Sequence, residues 1–536
     1  MKLEYEGPVV LAIMDGVGLR RELVGNAVKL AHTEFLNLAV KNYPSTGLLA
    51  SGEAVGVLKG DMGNSEVGHN AIGSGQIIKQ GIARVEEAFE TGAVWKTQAW
   101  QDVMARIREN PDSTLHFSGI FSDGKVHSSI DHLKRMISRA HQEGVRHIRI
   151  HAVLDGRDVP PQSAEKYINE VEYFISSLER AENATLDYKI ASGGGRMVYV
   201  ADRYESDWDI VKNGWDAIVW GQAERKFLSA SEAIDTFRTE DPGLQDQYIP
   251  PFVITDIENR PIGTVKDGDS FIYFDFRADR AIEIAEAFTY EEFPYFDRGT
   301  ENNRRLDVYF VGMTEYNSDT HVPEHRLVEP VEIKDTLNTF LGSRNISDLA
   351  VSETVKFGHI TYYFNGNSYE EAPGEKHIEI PSDTQPFNTR PWMKSAEITD
   401  EVLKEAENFK FIRLNFPGGD MVGHFAELEP TITAMEAIDI QLGRIAKMVD
   451  DLGGVLIITA DHGNAEELTD ENGVPKTAHS TSPVPFIVYD NSKNRDKYEL
   501  KRVENAGLSN IAATLALFLG QEDYPSVWRE PLIKLL

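Results

Sequence analysis

Along the chain, short runs of aliphatic and β-branched residues alternate with longer segments whose apolar positions recur every three or four residues. The first pattern predicts strands at Val9–Met14, His147–Leu154, Ser270–Phe276, Phe409–Phe416 and Val455–Ala460. The second predicts helices at Asp131–Gln142, Ala164–Arg180, Arg280–Ala287 and Thr431–Asp450. Such alternation is the mark of α/β architecture. No internal repeat, low-complexity tract or Gly/Ser-rich linker divides the chain, and the acidic residues are spread along it.

Length and charge narrow this picture. The 536 residues exceed one ordinary core, so two or more domains are expected. With 41% apolar and 26% charged residues the chain can bury substantial cores. Lys and Arg number 54 against 86 Asp and Glu, a net charge of −32. That surface repels nucleic acid and anionic lipid, so neither is expected as a partner. An anionic substrate would need locally concentrated Arg, Lys or metal. The absence of Cys excludes disulfides, thiolate nucleophiles and Cys-ligated zinc. Met1–Pro8 carries Glu4 and Glu6 with no basic stretch leading into an apolar segment, and no run of about 18 apolar residues follows. A soluble, cytoplasmic protein is expected.

Three of the apolar strands run into an aspartate. Val9–Met14 leads to Asp15-Gly16, Phe409–Phe416 turns through Pro417-Gly418-Gly419 to Asp420, and Val455–Ala460 leads to Asp461-His462-Gly463. In an open α/β sheet, functional groups collect at the carboxyl ends of strands. Asp420 and His424 stand at i and i+4, on one face of a helical turn, and His479 follows in Thr477-Ala478-His479-Ser480. An isolated strand-end Asp is ordinarily a helix N-cap. Three such acids with His424, His462 and His479 point instead to a divalent metal site, and they exceed one tetrahedral ligand set. Two ions about 4 Å apart clamp the attacking and leaving oxygens of phosphoryl transfer.

Ser65 lies in Asp61-Met62-Gly63-Asn64-Ser65-Glu66-Val67-Gly68-His69-Asn70, a Gly-punctuated turn feeding a helix. Unpaired N–H groups at a helix start favour phosphate there. The alternative makes Ser65 a simple N-cap. Between the early and late acidic motifs, Gly156-Arg157-Asp158, Gly195-Arg196, Asp202-Arg203 and Phe276-Arg277-Ala278-Asp279-Arg280 gather cations suited to a small phosphorylated acid.

Taken together, Asp15-Gly16-Val17-Gly18, Gly63–His69, Asp420–His424, Asp461–Asn464, and His479 with Pro483-Val484-Pro485 resemble the cofactor-independent phosphoglycerate mutase family of the alkaline phosphatase superfamily, along nearly the whole chain. The resemblance implies one ion held by Asp420, His424 and His479, and a second by Asp15, Ser65, Asp461 and His462. Mn²⁺ is the expected metal, with Mg²⁺, Co²⁺ or Zn²⁺ as alternatives, and 2,3-bisphosphoglycerate is not required. It implies that Ser65 is the nucleophile, that Lys356 lies close to both ions and stabilises the transferring phosphoryl group, and that Asp158 transfers a proton. His127, Arg157, Asp158, Arg196, Arg203, Arg277, Arg280 and Lys356 would bind substrate. Ser129 stands where a second histidine is common in the family. Ligands at both chain ends must meet, so the implied fold is an alkaline-phosphatase-like α/β domain (1–89 and 331–536) split by an inserted α/β transferase domain (90–330). The expected protein is a monomeric phosphoglycerate mutase interconverting 3-phosphoglycerate and 2-phosphoglycerate through a phosphoserine.

Overall fold

The computed structural model describes residues 2–536 apart from 183–185, 203–206, 318–319, 330, 332 and 471. The fold is α/β, and two compact units emerge: 1–80 with 331–536, and 81–330. The helix Gly81–Glu90 groups with the second unit.

The first unit is built on a seven-stranded sheet in the order Glu375–Ile380, Asp348–Glu353, Phe411–Phe416, Val9–Met14, Val455–Thr459, Val484–Tyr489 and Ser45–Leu48. The first five strands are parallel, and the last two contacts are antiparallel. Every residue of Val9–Met14 is buried, as expected of a parallel strand covered on both faces. One cover is the helix Leu428–Leu452, which buries Met435, Ile438, Leu442, Ile445 and Val449 at helical spacing. Met14 sits beside Phe416, and Ile13 beside Thr459, so three central strands end nearly level. This register brings Asp15, Asp420 and Asp461 to one edge.

The second unit has an eight-stranded sheet in the order His325–Arg326, Tyr309–Gly312, Ser270–Tyr273, Leu115–Phe121, His147–Leu154, Asp187–Gly195, Phe252–Ile254 and Arg225–Phe227. All contacts are parallel except that between Asp187–Gly195 and Phe252–Ile254. Successive side chains alternate between two apolar layers: Phe117 and Ile150 join one, Ile120 and Val153 the other. The strand beginning at Ser270 stops at Tyr273, short of the expected Phe276, because the Asp275 carboxylate accepts the Ile120 N–H at 2.8 Å, in place of a backbone carbonyl. No helix among the described residues is long and apolar enough to cross a membrane.

Candidate active site

Asp15 follows its strand directly, and Gly16 makes the turn at φ +73°, a conformation open to glycine. A side chain at Gly16 would lie 2.7 Å from the backbone of Asp420, so the two loops approach only because none is there. Ser65 is the first residue of the helix Ser65–Ser74. Its N-cap is Asn64, whose side chain accepts the Val67 N–H at 2.9 Å. The capping role open to Ser65 in the sequence therefore belongs to its neighbour.

The Ser65 hydroxyl is buried and meets three groups. It lies 3.2 Å from Asp15 Oδ1 and 3.0 Å from His462 Nε2, and it accepts from the Lys356 ammonium. Lys356 Nζ also donates to Asp15 Oδ1 at 3.0 Å and Asp420 Oδ2 at 2.7 Å. Burial alone would lower the Lys356 pKa, but Asp15 and Asp420 outweigh it and hold the ammonium protonated. Burial would raise both acids, and the adjacent Lys356 instead keeps them well below the usual carboxylate range.

His424 Nδ1 faces the Thr477 carbonyl at 2.6 Å, and His479 Nδ1 faces the Gly63 carbonyl at 2.9 Å. A carbonyl only accepts, so each Nδ1 carries the proton and each Nε2 of a neutral ring presents a lone pair. Those two Nε2 atoms are 3.2 Å apart and lie 3.2 and 3.1 Å from Asp420 Oδ1. Three electron pairs converge on one point, which suits a cation. A proton fills the same need: bonding to Asp420 raises the His424 pKa.

His462 repeats the pattern, with Nδ1 3.3 Å from the Gly463 carbonyl and Nε2 3.4 Å from Asp15, 3.6 Å from Asp461 Oδ2 and 3.8 Å from Asp420. Burial would lower its pKa, yet Asp461 and Asp15 push it up to about 9. Asp461 Oδ2 is buried without a well-aligned hydrogen bond. Two clusters of ligand atoms result, Asp420–His424–His479 and Asp15–Asp420–His462, each within 4.8 Å, and Asp461 groups with Asp15 and His69. Carboxylate oxygens with imidazole nitrogens fit a divalent transition metal.

Sequence patterns had not singled out the supports. Asn415 donates to Asp15 Oδ2 at 2.8 Å. Glu466, fully buried, accepts the Gly18 and Asn464 N–H groups at 2.8 and 2.9 Å and the Ser480 hydroxyl, tying together three ligand-bearing loops. His69 touches Asp461, and its place one turn after Ser65 was the available signal. Beside His424 and His479, a cavity of about 510 Å³ is bordered by Gly60–Asn64 and Ala478.

In the second unit, Arg196 is buried at the centre of a separate cluster. It bonds Asp155 at 2.6 Å and Asp158 at 2.5 Å, and lies 2.8 Å from His127 Nε2. Asp279 faces His127 Nδ1 at 3.3 Å and Arg277 Nε at 3.2 Å. Arg280 donates to the Ala201 carbonyl at 2.7 Å. Arg157 is exposed, and Arg203 lies outside the described residues. Ser129, at the family's histidine position, caps the helix Ile130–Gln142 through the Asp131 N–H. Asp155 and Asp279 are additional members of this cluster; Asp279 stands within an arginine motif of the sequence, and Asp155 immediately precedes Gly156-Arg157-Asp158.

The chain is similar to relatives of known name over nearly its whole length. The chain is 44% identical over 533 residues to a probable 2,3-bisphosphoglycerate-independent phosphoglycerate mutase of Leptospira interrogans serovar copenhageni, covering 96% of this chain and 95% of that one. It is 40% identical over 545 residues to the 2,3-bisphosphoglycerate-independent phosphoglycerate mutase of Trypanosoma brucei brucei, covering 98% and 97%. The chain belongs to the 2,3-bisphosphoglycerate-independent phosphoglycerate mutase family. A family model described as the BPG-independent PGAM N-terminus matches residues 85–318. A structure of Leishmania mexicana phosphoglycerate mutase, solved at low cobalt concentration, aligns over 100% of this chain and 98% of that one, at 39% identity and a TM-score of 0.70. The phosphoglycerate mutase resemblance read from the motifs thus extends to the fold.

Proposed function

We propose that the protein interconverts 3-phosphoglycerate and 2-phosphoglycerate in glycolysis and gluconeogenesis, without 2,3-bisphosphoglycerate and through a phosphoserine at Ser65. The observation that carries the reading is the buried Ser65 hydroxyl, held by Lys356 beside Asp15 and His462. Ser65 Oγ, its hydroxyl proton released to solvent, would form a bond to phosphorus as the substrate P–O bond breaks, and the Lys356 ammonium would offset charge on the transferring group. The glycerate oxygen would take a proton, Asp158 being the candidate donor, and the phosphoryl group would return to the other hydroxyl. Arg196, His127, Arg277, Arg280, Arg157 and Arg203 are the candidate substrate-binding residues.

Asp420, His424 and His479 are the candidate ligands of one divalent ion, and Asp15, Ser65, Asp461 and His462 of a second, with Mn²⁺ the first choice. When bound, such ions lower the hydroxyl pKa and neutralise phosphate charge. The same reading makes residues 1–89 and 331–536 a metal-binding phosphatase-like domain and 90–330 a substrate-binding transferase domain. It also makes the enzyme a cytoplasmic monomer acting on a small molecule, with neither nucleic acid nor membrane as a partner.

The test is turnover of 3-phosphoglycerate with added Mn²⁺ and no bisphosphoglycerate, coupled through enolase. Ser65→Ala should fall to background while its melting curve stays near wild type. Asn64→Ala, the true cap, should instead cost about 1 kcal/mol of stability. Label from ³²P-3-phosphoglycerate, trapped by acid quench, should appear on the Ser65 peptide. Label elsewhere, or turnover by a folded Ser65→Ala protein, overturns the mechanism.

A further inference from the structure

His69 is fully buried one helical turn after Ser65, and nothing above gives it a role in the reaction. Its Nδ1 lies 2.9 Å from the Ser65 backbone carbonyl and 3.2 Å from Asp461 Oδ2. The carbonyl can only accept, so Nδ1 carries a proton and is not itself a metal ligand. The same N–H therefore faces two oxygens: the backbone of the candidate nucleophile and the carboxylate of a candidate ligand.

Asp461 uses its two oxygens differently. Oδ1 accepts the Gly16 and His462 N–H groups at 3.2 and 3.0 Å. Oδ2 is the oxygen turned toward His462 Nε2, at 3.6 Å, and apart from His69 no N–H stands so near it among the described contacts. The Ser65 helix approaches closely enough for this contact because residue 68 is glycine: a side chain there would lie 2.5 Å from the Asp461 backbone oxygen.

We infer that His69 is a positioning residue: its Nδ1–H sets the Asp461 carboxylate and the Ser65 backbone relative to each other, so that Oδ2 keeps a lone pair directed at the second ion. The inference rests on the metal-dependent reading above. The Nδ1–H bonds the Ser65 carbonyl and leans toward Oδ2 without closing a well-aligned bond to it. Groups that orient a ligating carboxylate tune metal affinity, and losing one typically weakens binding by about 10- to 100-fold. His69 uses a single atom for this, which makes the role separable from packing.

The experiment titrates metal-free protein with Mn²⁺ by calorimetry, with bound metal counted by elemental analysis after dialysis. His69→Ala should keep its circular dichroism and lose affinity for one of two ions, by about 10- to 100-fold. His69→Asn, whose amide N–H occupies the Nδ1 position, should restore most of it. His69→Gln, which puts the amide at the Nε2 position, should not. Wild-type affinity in folded His69→Ala overturns the inference, as does rescue by Gln equal to that by Asn. Should His69→Ala fail to fold, folded His69→Asn with weak binding overturns it just as well. A wild-type protein that binds no Mn²⁺ would instead remove the metal-dependent reading beneath it.

Discussion

Toward the amino ends of the first unit's parallel strands, Arg413 is fully buried between Asp348, 3.2 Å away, and Glu375, with its guanidinium 4.3 Å from the Phe364 ring centre. At the carboxyl ends, Lys356 is buried among Asp15, Asp420 and Ser65, with Asp461 behind them. Each cluster has one permanent cation and more acids than that cation can neutralise. They treat the surplus differently. Burial pushes Asp348 up to about 6, so that acid gives up its charge readily. Asp15 and Asp420 stay ionised, and they face imidazole nitrogens whose other nitrogens are tied to carbonyls. Burial of charge does not by itself mark a site, nor does one imidazole beside an acid, since His377 Nε2 lies 2.7 Å from Glu375 in the amino-end cluster. Several imidazole nitrogens converging on shared carboxylate oxygens do.

The largest expected effect breaks the carboxyl-end cluster. Chelation, or Asp461→Asn, should bring mutase turnover to background with the fold intact by circular dichroism, because the ion's charge and a ligand oxygen are lost. Full turnover in protein shown by elemental analysis to be metal-free would erase the contrast between the clusters.

Breaking the amino-end cluster should act on stability alone. Arg413→Leu leaves two acids buried without their cation, and removing one partner of such a group costs about 3–5 kcal/mol. Urea midpoints should drop accordingly, while turnover per folded molecule is unchanged. Loss of turnover in the folded fraction would join the two clusters functionally.

The smallest effect tests the protonation difference. The raised Asp348 pKa favours the folded state at low pH. That contribution is complete below the unfolded value and is lost as pH rises through about 6. Asn cannot ionise, so Asp348→Asn escapes the loss. Its stability relative to wild type should improve between about pH 4 and pH 7, by up to about 2 kcal/mol. A pH-independent difference would show that Asp348 stays charged.

Much of the frame was legible because its signals are local. The strand Val9–Met14 runs straight into Asp15, and Asp420 with His424 shares one helical turn, so a few consecutive residues suffice to read them. The motif containing Ser65 was equally compact, though its cap was not: Asn64 and Ser65 are both good capping residues, and only the backbone path selects between them.

What the sequence by itself determined was the α/β class, the strand-end acids and the family. The tertiary structure alone decided how those residues are held. Glu466 reaches Gly18 across 448 positions of chain, and His479 is oriented by the carbonyl of Gly63, 416 positions earlier. Arg196 was legible as a cation, but its engagement by Asp155, Asp158 and His127 depends on adjacent strands ending together. Periodicity and motifs report a residue's relation to its chain neighbours. Which lone pair of a histidine is left open, and which oxygen of an aspartate is already used, depends on groups that meet only when the sheet closes its register.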